Sequence, residues 1–306
     1  MSGVVITLAV VTALALIYGV TALVVAHLFT RAERRIPVQP LGQVFERVGF
    51  PSRAGALPLT AWYRPAAEAR GAVVLVHGRN ACRGDELRGP TFPLADAFLA
   101  SGLSVLMLDL RGHGESGDAR VTFGRRERFD VLGALDFLVA RGYAVSSIGL
   151  LGGSMGGVSV MGAAAEEPAI GAVVTDSAFV DFGDLMRLRF RRFTRLPGIV
   201  RPAAMALANL LTGEHLAHPM ADDARKLHGR PVLVIHAAED PMVPLAHGEQ
   251  LAAVSGAALW ITPTRGHLSS FSGRTAEYLA TVPAFFARHL VGLASAPTDA
   301  RTAASA

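Results

Sequence analysis

The stretch Ile148-Gly-Leu-Leu-Gly-Gly-Ser-Met-Gly-Gly157 decides how the rest of the chain is read. An apolar run, Ile148–Leu151, stops at Gly152-Gly153-Ser154-Met155-Gly156, which has the form G-x-S-x-G, and apolar and small residues follow from Val158 to Ala165. A buried strand, a sharp turn and a helix start are the setting that a nucleophilic serine needs. At the tip, Ser154 is expected in a strained backbone conformation with its hydroxyl directed away from the sheet. Gly152 and Gly156 carry no Cβ, so strand and helix can close up around the turn. The helix start also aims backbone N–H groups at the place where an oxyanion would form. Alone, G-x-S-x-G is a weak pattern, and a glycine-rich turn that happens to hold a serine is spelled the same way. The surroundings must carry the assignment.

Outward from this turn one pattern repeats: an apolar strand, a glycine-containing loop, an amphipathic helix. Ala72–Val76 runs into His77-Gly78, and Pro90–Ala100 has a helical pattern. Ser104–Leu108 runs into Asp109-Leu-Arg-Gly-His-Gly-Glu-Ser116, and Arg126–Ala140 sets Phe129, Leu132, Leu135 and Leu138 near helical spacing. Ala169–Thr175 ends at Asp176-Ser177, Pro231–His236 and Ala258–Thr262 are the last strands, and Arg274–Leu290 is the closing helix. Ahead of these, Val44–Phe50 and Leu57–Arg64 flank a turn and read as an antiparallel hairpin. Continuous apolar strands alternating with helices predict an α/β fold whose mostly parallel sheet is covered on both faces.

Residues 1–30 contain no Asp, Glu, Lys or Arg. At about 1.5 Å per residue the run Val4–Phe29 spans a hydrocarbon core of roughly 30 Å. A cleaved signal peptide is the competing reading. Against it, the N-terminal end lacks positive charge, the apolar run exceeds the usual ~7–15 residues, and no A-x-A site precedes Arg31. A single transmembrane anchor over residues 1–30 is therefore expected, and Arg31, Arg34 and Arg35 directly after it put the remainder on the cytoplasmic side of the membrane. Residues 31–43, with Pro37 and Pro40, read as a linker, 44–290 as the globular domain, and 291–306 as a small, polar, disordered tail.

Between about 182 and 229 the alternation is interrupted by an insert. Its first part holds Arg187, Arg189, Arg191, Arg192, Arg195 and Arg201 among Leu, Met and Phe, and Pro202–Leu211 is apolar and helix-prone, with Pro197-Gly198 splitting the two. One reading is a solvated basic helix packed by one face. The other is a lid over Ser154 whose cationic, apolar surface lies on anionic lipid headgroups. The net charge of the chain is +4. Such a balance suits nucleic acid or anionic lipid, but no nucleic-acid motif accompanies it, so no nucleic-acid partner is expected. Cys82 is the sole cysteine, which excludes an intrachain disulfide, and it reads as a small buried or loop residue.

An activated serine needs a general base, and the base needs an orienting acid. Both appear downstream on loops that follow strands: Asp240 in Glu239-Asp240-Pro-Met-Val-Pro244, and His267 in Thr262-Pro-Thr-Arg-Gly266-His267. These loops leave the same edge of a parallel sheet as the serine turn, where open sheets carry their sites. Glu239 competes as the acid, but neighbours on an extended segment point opposite ways. Asp176 is a further alternative, and His236 reads as a core or loop-rim residue. For the oxyanion hole, the N–H of Met155 is one expected donor, and the loop after His77-Gly78 supplies the other, from Arg79 first or Asn80 second. The Arg79 side chain reads as solvent-facing or as a ligand for an anionic substrate group. Asp109 and His113 stand four apart without a second ligand cluster, so no metal is expected there, and Asp109 and Arg111 read as loop braces.

Together His77-Gly78, Asp109-Leu-Arg-Gly-His-Gly-Glu-Ser116, Gly152-Gly-Ser-Met-Gly156, Asp240-Pro-Met-Val-Pro244 and Gly266-His267 give the chain a resemblance to the α/β-hydrolase superfamily, within its bacterial serine hydrolases of esterase, lipase and peptidase type, over about residues 44–290. The resemblance implies an eight-stranded sheet, a helical cap after the sixth strand and no cofactor. It leaves the substrate open. The expectation is a membrane-anchored serine hydrolase that cleaves a small-molecule or lipid carboxylic ester through Ser154, Asp240 and His267. A peptidase, amidase or thioesterase on the same triad is the alternative within enzymes, and a hydrolase-like membrane scaffold is the alternative outside them. Nothing in the chain speaks to its oligomeric state.

Overall fold

The apolar runs pair into one eight-stranded sheet in the computed structural model, which describes residues 3–42 and 44–290. Helix α1 (Gly3–Thr30) comes first, followed by β1 (Glu46–Pro51), β2 (Pro58–Arg64), β3 (Gly71–Val76), α2 (Phe92–Ala100), β4 (Leu103–Leu108), α3 (Glu127–Ala140), β5 (Ile148–Gly153), α4 (Met155–Glu166) and β6 (Ala172–Asp176). The insert holds α5 (Phe182–Thr194), α6 (Arg201–Thr212) and α7 (Ala221–Arg225). The chain then closes with β7 (Val232–Glu239), α8 (Leu245–Ser255), β8 (Ala258–Arg265), α9 (Ser269–Gly273) and α10 (Thr275–His289). The strand order is β1-β2-β4-β3-β5-β6-β7-β8. The hairpin β1–β2 and the pair β2–β4 are antiparallel, and every other neighbouring pair is parallel. This is the α/β-hydrolase fold. The expected tail, 291–306, lies outside the described residues.

Alternation along β3 shows why its sequence is uninterruptedly apolar. Val73 and Leu75 pack with Leu94 and Phe98 of α2 and Phe286 of α10, while Val74 and Val76 join Leu135 of α3 and Met161 of α4 on the other face. A strand covered on both sides has no position left for a polar side chain. β7 runs three residues past His236, to Glu239, with a register irregularity against β8 between Ala237 and Glu239. The extension delivers Asp240 to the very end of the strand.

The insert begins at Asp181, whose carboxylate caps α5 by accepting from Asp184 N–H at 3.0 Å, and Asp181 also pairs with Pro219 to close the base. Arg195 in the left-handed region ends α5, and a short turn at Gly198–Val200 leads into α6. The α6 helix lies along α1: Ala22 and Val25 pack with Phe190, Val200 and Ala204, and Tyr18 Oη donates to the Ile199 carbonyl at 2.9 Å. Burial is confined to the last third of α1; Gly3–Val20 are exposed. Those residues form an apolar rod of about 27 Å at 1.5 Å per residue. Among the described residues α1 is the one helix long and apolar enough to cross a membrane.

Candidate active site

The turn between β5 and α4 carries Ser154 at φ 52° and ψ −119°, a region that L-residues occupy only when the surroundings force them into it. The chain packs so closely on either side of the turn that Gly152 and Gly156 have no room for a side chain. A Cβ on Gly152 would meet the Gly156 carbonyl oxygen at 2.3 Å, and one on Gly156 would meet that of Val76 at 2.3 Å. The Ser154 N–H donates to the Asp176 carbonyl at 2.8 Å, so the turn is also tied to the end of β6.

The structure brings Ser154, His267 and Asp240 together from three loops at the C-terminal edge of the sheet. His267 Nε2 lies 2.9 Å from Ser154 Oγ, and its Nδ1 lies 2.8 Å from Asp240 Oδ2. Asp240 Oδ1 accepts from the N–H groups of Met242 and Val243 at 2.8 and 2.9 Å, leaving Oδ2 for the imidazole. Glu239 faces away and pairs with Arg265 in solvent at 2.7 Å. His236 is buried behind the acid loop, with Nε2 donating to the Val243 carbonyl at 3.0 Å. Asp176 does not reach the imidazole. Its Oδ1 accepts from Ser177 Oγ and Ser270 Oγ at 2.9 and 3.3 Å, and burial pushes its carboxyl up to about 6. Ser177 Oγ in turn accepts from Leu268 N–H at 3.3 Å, so Asp176 sits beneath the histidine loop as a brace.

Met155 opens α4 beside Ser154, and Gly78, Arg79 and Asn80 approach from the loop after β3; all border one cavity of about 350 Å³. The Asn80 N–H donates to His113 Nε2 at 3.3 Å and is thereby occupied, which leaves the Arg79 N–H of the two donors expected from that loop. The Arg79 side chain departs from expectation. Besides bordering the cavity, its guanidinium donates to the carbonyls of Leu28 and Arg31 at the end of α1, 2.5 and 3.2 Å away. The last carbonyls of a helix have no partner within it, and nothing in the sequence around Arg79 reveals that the end of α1 lies beside it.

The loop after β4 is a structural brace. Asp109 receives Arg83 N–H at 2.8 Å and the Arg83 guanidinium, while Arg111 forms a buried pair with Asp130, at 2.6 Å, rather than with Asp109. His113 Nδ1 donates to the Arg111 carbonyl and His77 Nδ1 to the Gly78 carbonyl, at 2.8 and 2.7 Å. Burial lowers His77 to about 4 and His113 to about 3. Cys82 is buried, and burial pushes its thiol up to about 12. Sequence reasoning missed Arg83, and it missed Glu86, fully buried, accepting from Gly84 N–H at 2.8 Å and raised to about 7 by that burial. Neither belongs to a recognisable pattern. Among the described residues no cluster of three or more His, Cys, Asp or Glu is arranged to hold a metal.

Arg35, Asp85 and Arg88 also line the cavity, and the remaining walls are mostly apolar. Phe179, Phe182, Met186 and Phe193 close it from the side of the insert, Phe123 from the loop before α3, and Phe29 from α1.

The family described as serine aminopeptidase, S33, matches residues 67–227. YqkD, an uncharacterized protein of Bacillus subtilis, is 30% identical over 197 residues, which is 61% of this chain and 63% of that protein, so the match spans under two thirds of the relative's length. Among solved structures, the Pyrococcus furiosus esterase Pf2001 superposes with a TM-score of 0.70 at 20% identity, covering 86% of this chain and 98% of the esterase. The esterase domain of a Rhodothermus marinus protein superposes with a TM-score of 0.57 at 20% identity, covering 81% and 100%. At these identities the structural likeness is one of fold.

Proposed function

The chain belongs to the serine aminopeptidase S33 family of α/β-hydrolases, and from that premise we propose that it is a serine hydrolase cleaving carboxylic esters through an acyl-enzyme on Ser154. The observation that carries this reading is the relay of 2.9 and 2.8 Å from Ser154 through His267 to Asp240 at the floor of an apolar cavity. Ser154 Oγ attacks the ester carbonyl as His267 Nε2 takes its proton. Asp240 holds the ring with Nδ1–H toward itself and stabilises the imidazolium. The N–H groups of Met155 and Arg79 receive the oxyanion, where a donor is typically worth on the order of 10²–10³ in rate. The tetrahedral adduct collapses, His267 returns its proton to the leaving alcohol, and water enters by the same steps in reverse to release the acid.

The charges around the cavity favour an acyl ester over an aminopeptidase substrate. A free α-amino group calls for an unpaired carboxylate. The cavity's charged lining is Arg35, Arg79, Arg88 and Asp85, and Asp85 is paired with Arg35 at 3.5 Å. The aromatic walls suit an acyl chain. On this reading residues 1–30 anchor the enzyme, Arg31, Arg34 and Arg35 keep the catalytic domain in the cytoplasm, and the arginine-rich α5 sits close to lipid headgroups. The test is a panel of p-nitrophenyl esters from acetyl to dodecanoyl, run with the full chain in detergent against aminoacyl amides. Turnover of esters, rising with chain length, is the expected result. Faster turnover of amides than of any ester overturns the proposal.

A further inference from the structure

A helix that merely tethers a domain can end in a loose joint, but the end of α1 is fastened to the rim of the site. Arg79 grips the carbonyls of Leu28 and Arg31, which lie at the negative end of the helix dipole. Its neighbour Asn80 accepts from Glu33 N–H with Oδ1 at 3.0 Å. Arg34 donates to the carbonyls of Gly114 and Ser116 at 2.9 and 2.8 Å, and Arg35 pairs with Asp85. Farther along the segment between β4 and α3, Val121 N–H donates to the Thr30 carbonyl at 2.8 Å, and Arg120 donates to Thr30 Oγ1 at 2.9 Å. Residues 28–35 thus cross the loops after β3 and β4 as a strap. In the same last turn Phe29 meets Phe190 of α5 edge-on at 6.3 Å and lines the cavity together with Met186 and Phe193.

Two consequences are joined in one stretch of chain. The residue proposed as the second oxyanion donor is the residue whose side chain holds α1, and Phe29 of α1 itself lines the cavity. We propose that the end of α1 and the strap behind it are a working part of the substrate site: Phe29 sets how much acyl chain the cavity admits, and Arg79, as a positioning residue, holds the oxyanion loop by gripping the last carbonyls of the helix. This rests on the ester-hydrolase reading and narrows its substrate to an amphiphilic acyl ester whose chain lies between the insert and the apolar helix. Substrate arriving alongside that helix meets the cavity wall directly.

The experiment uses the full chain in detergent and the same p-nitrophenyl ester series. Phe29→Ala should shift the ratio of kcat/KM for long over short esters upward and Phe29→Trp should shift it downward, each by about ten-fold, the discrimination one or a few methylene groups provide in an apolar pocket. Arg79→Met keeps the backbone N–H but releases α1. It should lower kcat on the acetyl ester by about ten-fold, since small misplacements of catalytic groups are costly, with KM near that of the wild type, and Arg79→Lys should restore part of the loss. Phe29→Leu, the mildest change, should give an upward shift of smaller size and keeps the wall test valid should the Ala variant fail to fold. Chain-length profiles that match the wild type in the folded Phe29 variants, or an unchanged kcat in Arg79→Met, overturn the inference. A wild-type protein that hydrolyses no ester of the series would instead sink the ester reading itself.

Discussion

His267 and His113 both follow a glycine, both sit on loops at the C-terminal edge of the sheet, and both are almost wholly buried. His267 gives one nitrogen to Asp240 and turns the other to the Ser154 hydroxyl. His113 commits both nitrogens to the backbone, one to the Arg111 carbonyl and one to the Asn80 N–H. Their carboxylates differ in the same way. Asp240 leaves an oxygen for an imidazole, whereas Asp109 is locked by Arg83. The residue types are alike in the two clusters. On the proposed mechanism, what separates a reactive histidine from a bracing one is the partner of its second nitrogen, a serine hydroxyl for His267 and a backbone N–H for His113.

The contrast breaks first at the acid. Asp240→Asn keeps the shape of the loop but disturbs the imidazole tautomer, and kcat on the best ester should fall on the order of 10⁴, with little change in the denaturation midpoint. A loss below ten-fold would move Asp240 into the bracing class. Next comes the brace itself. Arg111→Met leaves Asp130 buried without its partner, and breaking a buried pair costs about 3–5 kcal/mol. Urea denaturation should show that loss, while the folded fraction keeps its activity.

A pH experiment sharpens the difference between the two histidines. The folded value of His113, about 3, lies below the ordinary histidine value of about 6.5. Between those two pH values the unfolded chain takes up a proton that the native chain refuses, so stability is lost as pH falls, at up to about 1.4 kcal/mol per pH unit. Glu86 and Asp176, raised to about 7 and about 6, act in the opposite sense, because their native forms take up protons first. The difference in unfolding free energy between wild type and His113→Gln isolates the histidine and should shrink steadily from pH 6.5 downward. A flat difference would mean that the ring is not held neutral. The smallest effect belongs to Glu239→Gln. Its pair with Arg265 is exposed, such pairs are worth about 0–1 kcal/mol, and activity should stay at the wild-type level. A large activity loss would restore Glu239 as the acid.

Local backbone rules made much of this legible in advance. The serine turn, the succession of strands along the chain and the loops bearing Asp240 and His267 follow from glycine placement and apolar runs, because each depends on a few adjacent residues. Elements whose logic is tertiary were hidden. The partner of Arg111 is Asp130 on α3 rather than the nearby Asp109, a choice made by which carboxylate the fold brings beneath it. Glu86 and Arg83 are buried by loop packing that no periodicity encodes. The grip of Arg79 on α1 joins residues about fifty positions apart, and Phe29 reads in the sequence as one more apolar residue of a long apolar helix.

The central claim is that Ser154 is made nucleophilic by His267. It is tested most directly by treating the folded full chain with a fluorophosphonate and mapping the adduct by peptide mass spectrometry. The expected result is a single adduct on Ser154, absent from Ser154→Ala and formed far more slowly in His267→Ala. A folded protein that stays unlabelled, or one that labels Ser154 equally fast without the imidazole, would contradict it.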